Sequence, residues 1–82
     1  MKVRLRLFAT LTQYLPPDAD GDGVTLSLPG GTTLGDALAR LHIPDGEPYL
    51  TVVNGDNAEP ARLLVDGDEI TLFPPLSGGG AP

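Results

Sequence analysis

DGDEITLFPPLSGG, residues 66–79, joins a turn, a strand and an exit in fourteen residues. Asp66-Gly67-Asp68 has the composition of a tight turn. Glu69–Phe73 then alternates, with Ile70 and Leu72 on one face and Phe73 on the other, as a half-buried strand does. Pro74-Pro75 cannot continue that strand, because proline has no N–H to give to a ladder. The two prolines hold the departing chain extended. Gly78, Gly79 and Gly80 follow and carry no side chains, so they can enter a channel too narrow for any Cβ. Frayed ends are common. A rigid spacer ahead of the glycines marks this one as a tail able to reach into another protein's active site.

Upstream, Lys2–Phe8 alternates strictly. Val3, Leu5 and Leu7 share one face, and Lys2, Arg4, Arg6 and Phe8 share the other, which predicts a strand. Residues 9–15 suit a short helical turn with Leu11, Tyr14 and Leu15 on one side. Pro16-Pro17 and Asp18–Gly23 are loop. Residues 24–28 predict a second strand with Val24, Leu26 and Leu28 inward. Thr33 can cap a helix, with the Asp36 carboxylate favourable in its first turn. Leu34, Ala37, Leu38 and Leu41 then keep helical spacing until Pro44. Tyr49–Val53 predicts a third strand, Asn54-Gly55 a hairpin turn, and Leu63–Val65 a short further pairing. The order strand, strand, helix, strand, strand is that of an α+β domain with one main helix on one face of a mixed four- to five-stranded sheet. It resembles the ubiquitin-like β-grasp. Residues 1–76 are expected to form the domain and 77–82 a flexible tail.

Composition agrees with a single folded unit. The 82 residues hold 23 Val, Leu, Ile and Phe, or 28%, above the roughly 20% below which chains tend to disorder. Gly and Pro reach 24%, just short of the roughly 25–30% of low-complexity chains. With no cysteine, disulfides, zinc–thiolate sites and thiol chemistry on the chain are excluded. The net charge of −6 repels phosphate backbones and argues against nucleic acid as a partner. No apolar run is long enough for a membrane span or a secretion signal, so a cytoplasmic location is expected.

Catalytic groups are few. His42, the one histidine, follows the predicted helix and reads as a C-terminal residue favoured by the helix dipole more readily than as a base or ligand. Asp18, Asp20 and Asp22 match the first half of a calcium loop, but Pro29 stands where the bidentate Glu belongs. No metal site and no bound cofactor are therefore expected. Phe8 and Phe73 each end a strand on the face away from the helix, where they predict a partner-binding patch beside Pro74, Pro75 and Leu76.

Residues 66–79 resemble the closing segment of sulfur carriers of the molybdopterin synthase small-subunit and thiamin sulfur-carrier kind. The strand ending Phe8-Ala9, the central helix and the strand ending Val53-Asn54 are similar to the same family, and FPP is closer to its molybdopterin branch. The resemblance implies a carrier subunit, not an enzyme. A ubiquitin-activating-type adenylating enzyme would use ATP on the C-terminal glycine, and sulfur would replace AMP to leave a thiocarboxylate. The tail would then enter the large subunit of molybdopterin synthase. It also implies that the first and last strands are central, adjacent and parallel, which sets Phe8 beside Phe73. The family ends at Gly-Gly, whereas Gly80-Ala81-Pro82 follow here. Gly79 is therefore the expected active end, with Gly78 and Gly80 around it, after a processing peptidase trims the last three residues. Thiamin, cysteine or tRNA thiolation, a lysine-linked modifier, and an interaction module with an inert tail remain alternatives.

Overall fold

The computed structural model describes residues 1–75. Leu76, Ser77 and the expected site at Gly78, Gly79 and Gly80 lie outside the described residues, as does the expected division after residue 76.

Five strands form one mixed sheet: β1 (Lys2–Leu7), β2 (Gly23–Ser27), β3 (Leu50–Val53), β4 (Asp56–Asn57) and β5 (Glu69–Phe73), in spatial order β2-β1-β5-β3-β4. The helix α1 (Leu34–Ala39) connects the two halves, and a 3-10 turn spans Ala9–Tyr14. β1 runs antiparallel to β2 and parallel to β5, with Arg4 opposite Glu69 and Leu7 opposite Leu72. β3 runs antiparallel to β5, with Leu50 opposite Phe73. This is the β-grasp, an α+β fold.

Alternation sets the core. Val3, Leu5 and Leu7 from β1, Ile70 and Leu72 from β5, and Val53 from β3 are all at most 1% exposed, with Leu34 and Ala37 of α1 against them. Leu11 from the 3-10 turn closes one end of that core, with Tyr14 and Leu15 packed against it. β1 stops one residue short of its pattern. Phe8 is still extended, but Ala9 takes φ 55° and turns the chain away.

Helix α1 begins as its sequence dictates. The Thr33 hydroxyl accepts from Asp36 N–H at 3.2 Å, and the Asp36 carboxylate accepts from Thr33 N–H at 3.3 Å. The helix ends earlier than its leucine spacing suggests. Leu41 is buried in the turn beyond it, and His42 adopts φ 57° there on the surface. At the hairpin, Asn54 and Gly55 take φ 53° and 88°, the pair of left-handed residues a two-residue turn of matching twist requires. The returning strand is β4, only two residues long. The pairing expected at Leu63–Val65 reduces to a single bridge from Leu63 to Thr33, because Leu64 turns into the core while Leu63 and Val65 stay exposed.

Candidate functional site

The exit of β5 is built by the turn before it. Gly67 sits at φ 89°, open to glycine at no steric cost. Around it the Asp66 carboxylate accepts from Lys2 N–H at 2.7 Å, and Gly67 N–H donates to the Lys2 carbonyl at 2.8 Å. Arg4 N–H donates to the Asp68 carbonyl at 2.9 Å. These bonds extend the β1–β5 ladder backwards and fix its register. Asp68 itself is 3% exposed. Its carboxylate accepts from Asn54 Nδ2 and from Val65 N–H, each at 2.9 Å, so the buried charge is fully partnered.

From that anchor β5 carries Phe73 and then Pro74-Pro75 to the far end of the sheet. Phe8 N–H donates to the Leu72 carbonyl at 3.1 Å, so the parallel register continues one step past β1 and sets Phe8 beside Phe73. Both rings are half-buried rather than fully exposed, and both lie on the face away from α1. The Arg6 guanidinium carbon stands 5.2 Å from the Phe8 ring centroid, within cation–π reach. On the other side of Phe73 is Leu50, which is 47% exposed. Phe8, Phe73 and Leu50 therefore form one apolar row across three strands at the exit, with half-buried Val52 one row behind. The strand pattern around Leu50 was visible, but only its cross-strand pairing with Phe73 identifies it as part of this row.

Arginine and acid dominate the rest of this face. Arg4 pairs with Asp20 at 3.1 Å, and Arg6 pairs with Asp22 at 3.4 Å and Glu69 at 3.6 Å. Two acids of the calcium-like run are thus engaged with the first strand, while the Asp20 side chain stays 83% exposed. Among the described residues no three His, Asp or Glu gather closely enough to hold a metal ion. No helix among them is long and apolar enough to cross a membrane.

Tyr14 and Glu47 make one further contact, between the 3-10 turn and the loop that leads into β3. Tyr14 Oη donates to Glu47 Oε1 at 3.0 Å. Partial burial, with the Glu47 hydrogen bond and charge behind it, raises the Tyr14 phenol above its ordinary value.

Comparison with known proteins gives a consistent picture. The profile of the ThiS family matches residues 5–79. Small archaeal modifier protein 1 of Haloferax volcanii is 35% identical, over 90% of this chain and 97% of that protein. The crystal structure of SAMP1 from Haloferax volcanii superposes with a TM-score of 0.75 at 31% identity, covering 96% of this chain and all of that one. A putative molybdopterin converting factor subunit 1 from Pyrococcus furiosus does so at 0.74 and 25% identity, over 90% of this chain and 97% of that one.

Proposed function

The chain belongs to the ThiS family of ubiquitin-like sulfur carriers, and from that premise we propose that its working group is the carboxyl of Gly79, exposed once Gly80-Ala81-Pro82 are removed by a peptidase. A carboxylate is a poor electrophile. Adenylation by a ubiquitin-activating-type partner, which binds and spends the ATP, makes the carbonyl attackable by a sulfur nucleophile. Sulfur then replaces AMP and leaves a thiocarboxylate. The chain supplies a terminal carboxyl, a tail that fits and a docking surface, and holds no cofactor itself.

The observation that carries this reading is the exit. Pro74-Pro75 leave the sheet directly beside the Phe8–Phe73–Leu50 row, so a partner that seats this row receives the tail at a defined angle. Buried aromatic anchors of this kind dominate many interfaces. The tail then inserts into the large subunit of molybdopterin synthase, where its sulfur is donated to a pterin precursor. The likeness to the Pyrococcus furiosus protein supports that pathway over thiamin, cysteine or tRNA thiolation.

A second reading has its own support. The 35% identity to a protein named as a modifier favours transfer of the same activated glycine to lysine amines. Intact mass of the protein purified from its own host separates the two. Loss of Gly80-Ala81-Pro82 with one oxygen replaced by sulfur is the carrier result. Mass gained by whole target proteins, each carrying this chain, is the modifier result. An untrimmed, unmodified chain in cells active in both pathways would refute both.

A further inference from the structure

We infer that the cleft between α1 and the edge of β3 is a strand-addition site for an extended segment of a partner protein, one with apolar residues at alternate positions and Lys or Arg on either side. The site needs no activated carboxyl and is independent of the carrier reading.

The cleft follows from where β4 stops. The register that sets Val53 against Asp56 and Val52 against Asn57 would next set Ala58 against Thr51 and Pro60 against Tyr49. Pro60 has no N–H to give at that position, and the chain swings to α1 instead. There Gly35 N–H donates to the Pro60 carbonyl at 2.9 Å, and Leu34 N–H to the Arg62 carbonyl at 2.8 Å. The lane that a longer β4 would fill is left open. Leu34 and Leu38 line it from the helix, Tyr49 and Thr51 from β3, and Ala58 and Pro60 from the departing chain, around a cavity of about 530 Å³. That lies within the roughly 300–1,000 Å³ of ligand-binding pockets.

Backbone direction makes the lane a docking edge. Asn54 N–H donates to the Glu69 carbonyl. Alternation then turns the backbone groups of Val52 and Leu50 toward β5 and those of Thr51 and Tyr49 toward the lane. Among the described residues no strand continues the β4 side of β3 beyond Val52. A strand added to such an edge gains main-chain hydrogen bonds, and its alternate side chains enter pockets on one face. Here those side chains meet Leu34 and Leu38.

Charge selects the occupant. Glu47 precedes Tyr49 by two residues at one end of the lane, and Asp56 precedes Asn57 at the other. Glu59 sits on the rim between Ala58 and Pro60. Asp56 and Glu59 are exposed, and Glu47 is bonded to the neutral Tyr14 phenol. Among the described residues none of the three is in an ion pair. Arg40 and Arg62, the cations nearest in sequence, do not line the cleft. Basic flanks on the incoming segment complement this rim. Leu50 lines the cleft and also ends the Phe8–Phe73–Leu50 row, so one partner can cover both.

The test titrates the isotopically labelled 82-residue chain with the peptide Lys-Arg-Val-Thr-Val-Arg-Lys and follows amide shifts by NMR. In antiparallel register its two Val lie opposite Tyr49 and Thr51, with side chains toward α1 and N–H groups toward β3. The expected result is saturable shifts centred on Tyr49–Thr51, Leu34 and Leu38. Replacing both Val by Pro keeps the charge but removes those N–H groups, and should weaken binding at least about tenfold. Glu-Asp-Val-Thr-Val-Asp-Glu should not bind. Ala58→Trp, which fills the lane, should also weaken the basic peptide at least about tenfold. No saturable shift up to about millimolar peptide, shifts centred on Asp18–Asp22 instead, or equal binding of the Pro peptide or the acidic peptide overturns the inference. Unchanged binding by Ala58→Trp also overturns it. Should that variant fail to fold, the Val-to-Pro comparison on the native chain decides.

Discussion

The Asn54 side chain holds both neighbours of the β5 launch point, donating from Nδ2 to Asp68 Oδ1 and accepting at Oδ1 from Glu69 N–H, each at 2.9 Å. Asn54 can do this because its own φ is 53°, a conformation asparagine tolerates better than most residues. One left-handed residue thus closes the β3–β4 hairpin and clamps the turn that aims the tail.

Asp68→Ala removes the acceptor for Asn54 Nδ2 and for the Val65 N–H. Leaving such groups unpaired costs about 1–3 kcal/mol, and chemical unfolding should show a loss in that range. A change below about 0.5 kcal/mol, the size of an ordinary surface substitution, would show that the clamp is incidental.

Leu50→Ala should weaken binding to the adenylating enzyme or the large subunit about tenfold, or about 1.4 kcal/mol. At 47% exposure it should scarcely move the melting temperature. Phe73→Ala should cost about 30-fold in affinity, or about 2 kcal/mol. Its ring is half-buried, so some stability is lost with it. Calorimetric titration beside thermal unfolding checks both, and unchanged affinity for Leu50→Ala would remove it from the docking row.

A chain ending at Gly79 should support ATP–pyrophosphate exchange with the cognate enzyme, while the 82-residue chain should not. Three extra extended residues add about 10 Å, enough to carry the carboxyl past the register that Gly79 sets. Equal exchange by both chains would rule out processing as a requirement.

Calcium should bind no more tightly than about millimolar, the weak end of known sites. Asp20 and Asp22 already face Arg4 and Arg6, and Pro29 cannot supply the missing carboxylate. A micromolar constant by calorimetry would overturn this.

The Tyr14 phenol titrates above its unfolded value of 10.0, so the protonated form is the one the fold favours. That contribution is fully present below pH 10.0 and is lost as pH rises through the higher folded value. Stability of the native chain should therefore fall more steeply above pH 10.0 than that of Tyr14→Phe. Parallel slopes in denaturant midpoints across that range would discount the Glu47 contact.

The strands with strict alternation were readable because a period of two says directly which face is buried: Val3, Leu5, Leu7, Ile70 and Leu72 all lie where the pattern places them. Thr33 and Asp36 were readable as a cap for a similar local reason. The pairing of Arg4 with Asp20 and Arg6 with Asp22 joins residues 16 apart, and it depends on where β2 returns. β4 has two polar residues and no periodicity to detect; its existence follows from the Asn54-Gly55 turn. Asp68 is legible in the sequence only as part of a turn. Its burial follows from Asn54, 14 residues earlier, which no local pattern reports. Leu50 belongs to the exit row only through its register with Phe73.

The parallel pairing of β1 with β5 also governs how the domain bears load. A tail gripped in a partner's channel is pulled along β5, away from the start of β1. Tension between the N-terminus and the tail therefore runs along both strands in opposite senses, so the ladder bonds between them are sheared together rather than peeled one at a time. The bond from Lys2 N–H to the Asp66 carboxylate and the Arg4–Asp68 backbone link lie in the same shear line and share that tension. A pull on the tail thus meets the domain along a ladder loaded in shear rather than one opened bond by bond.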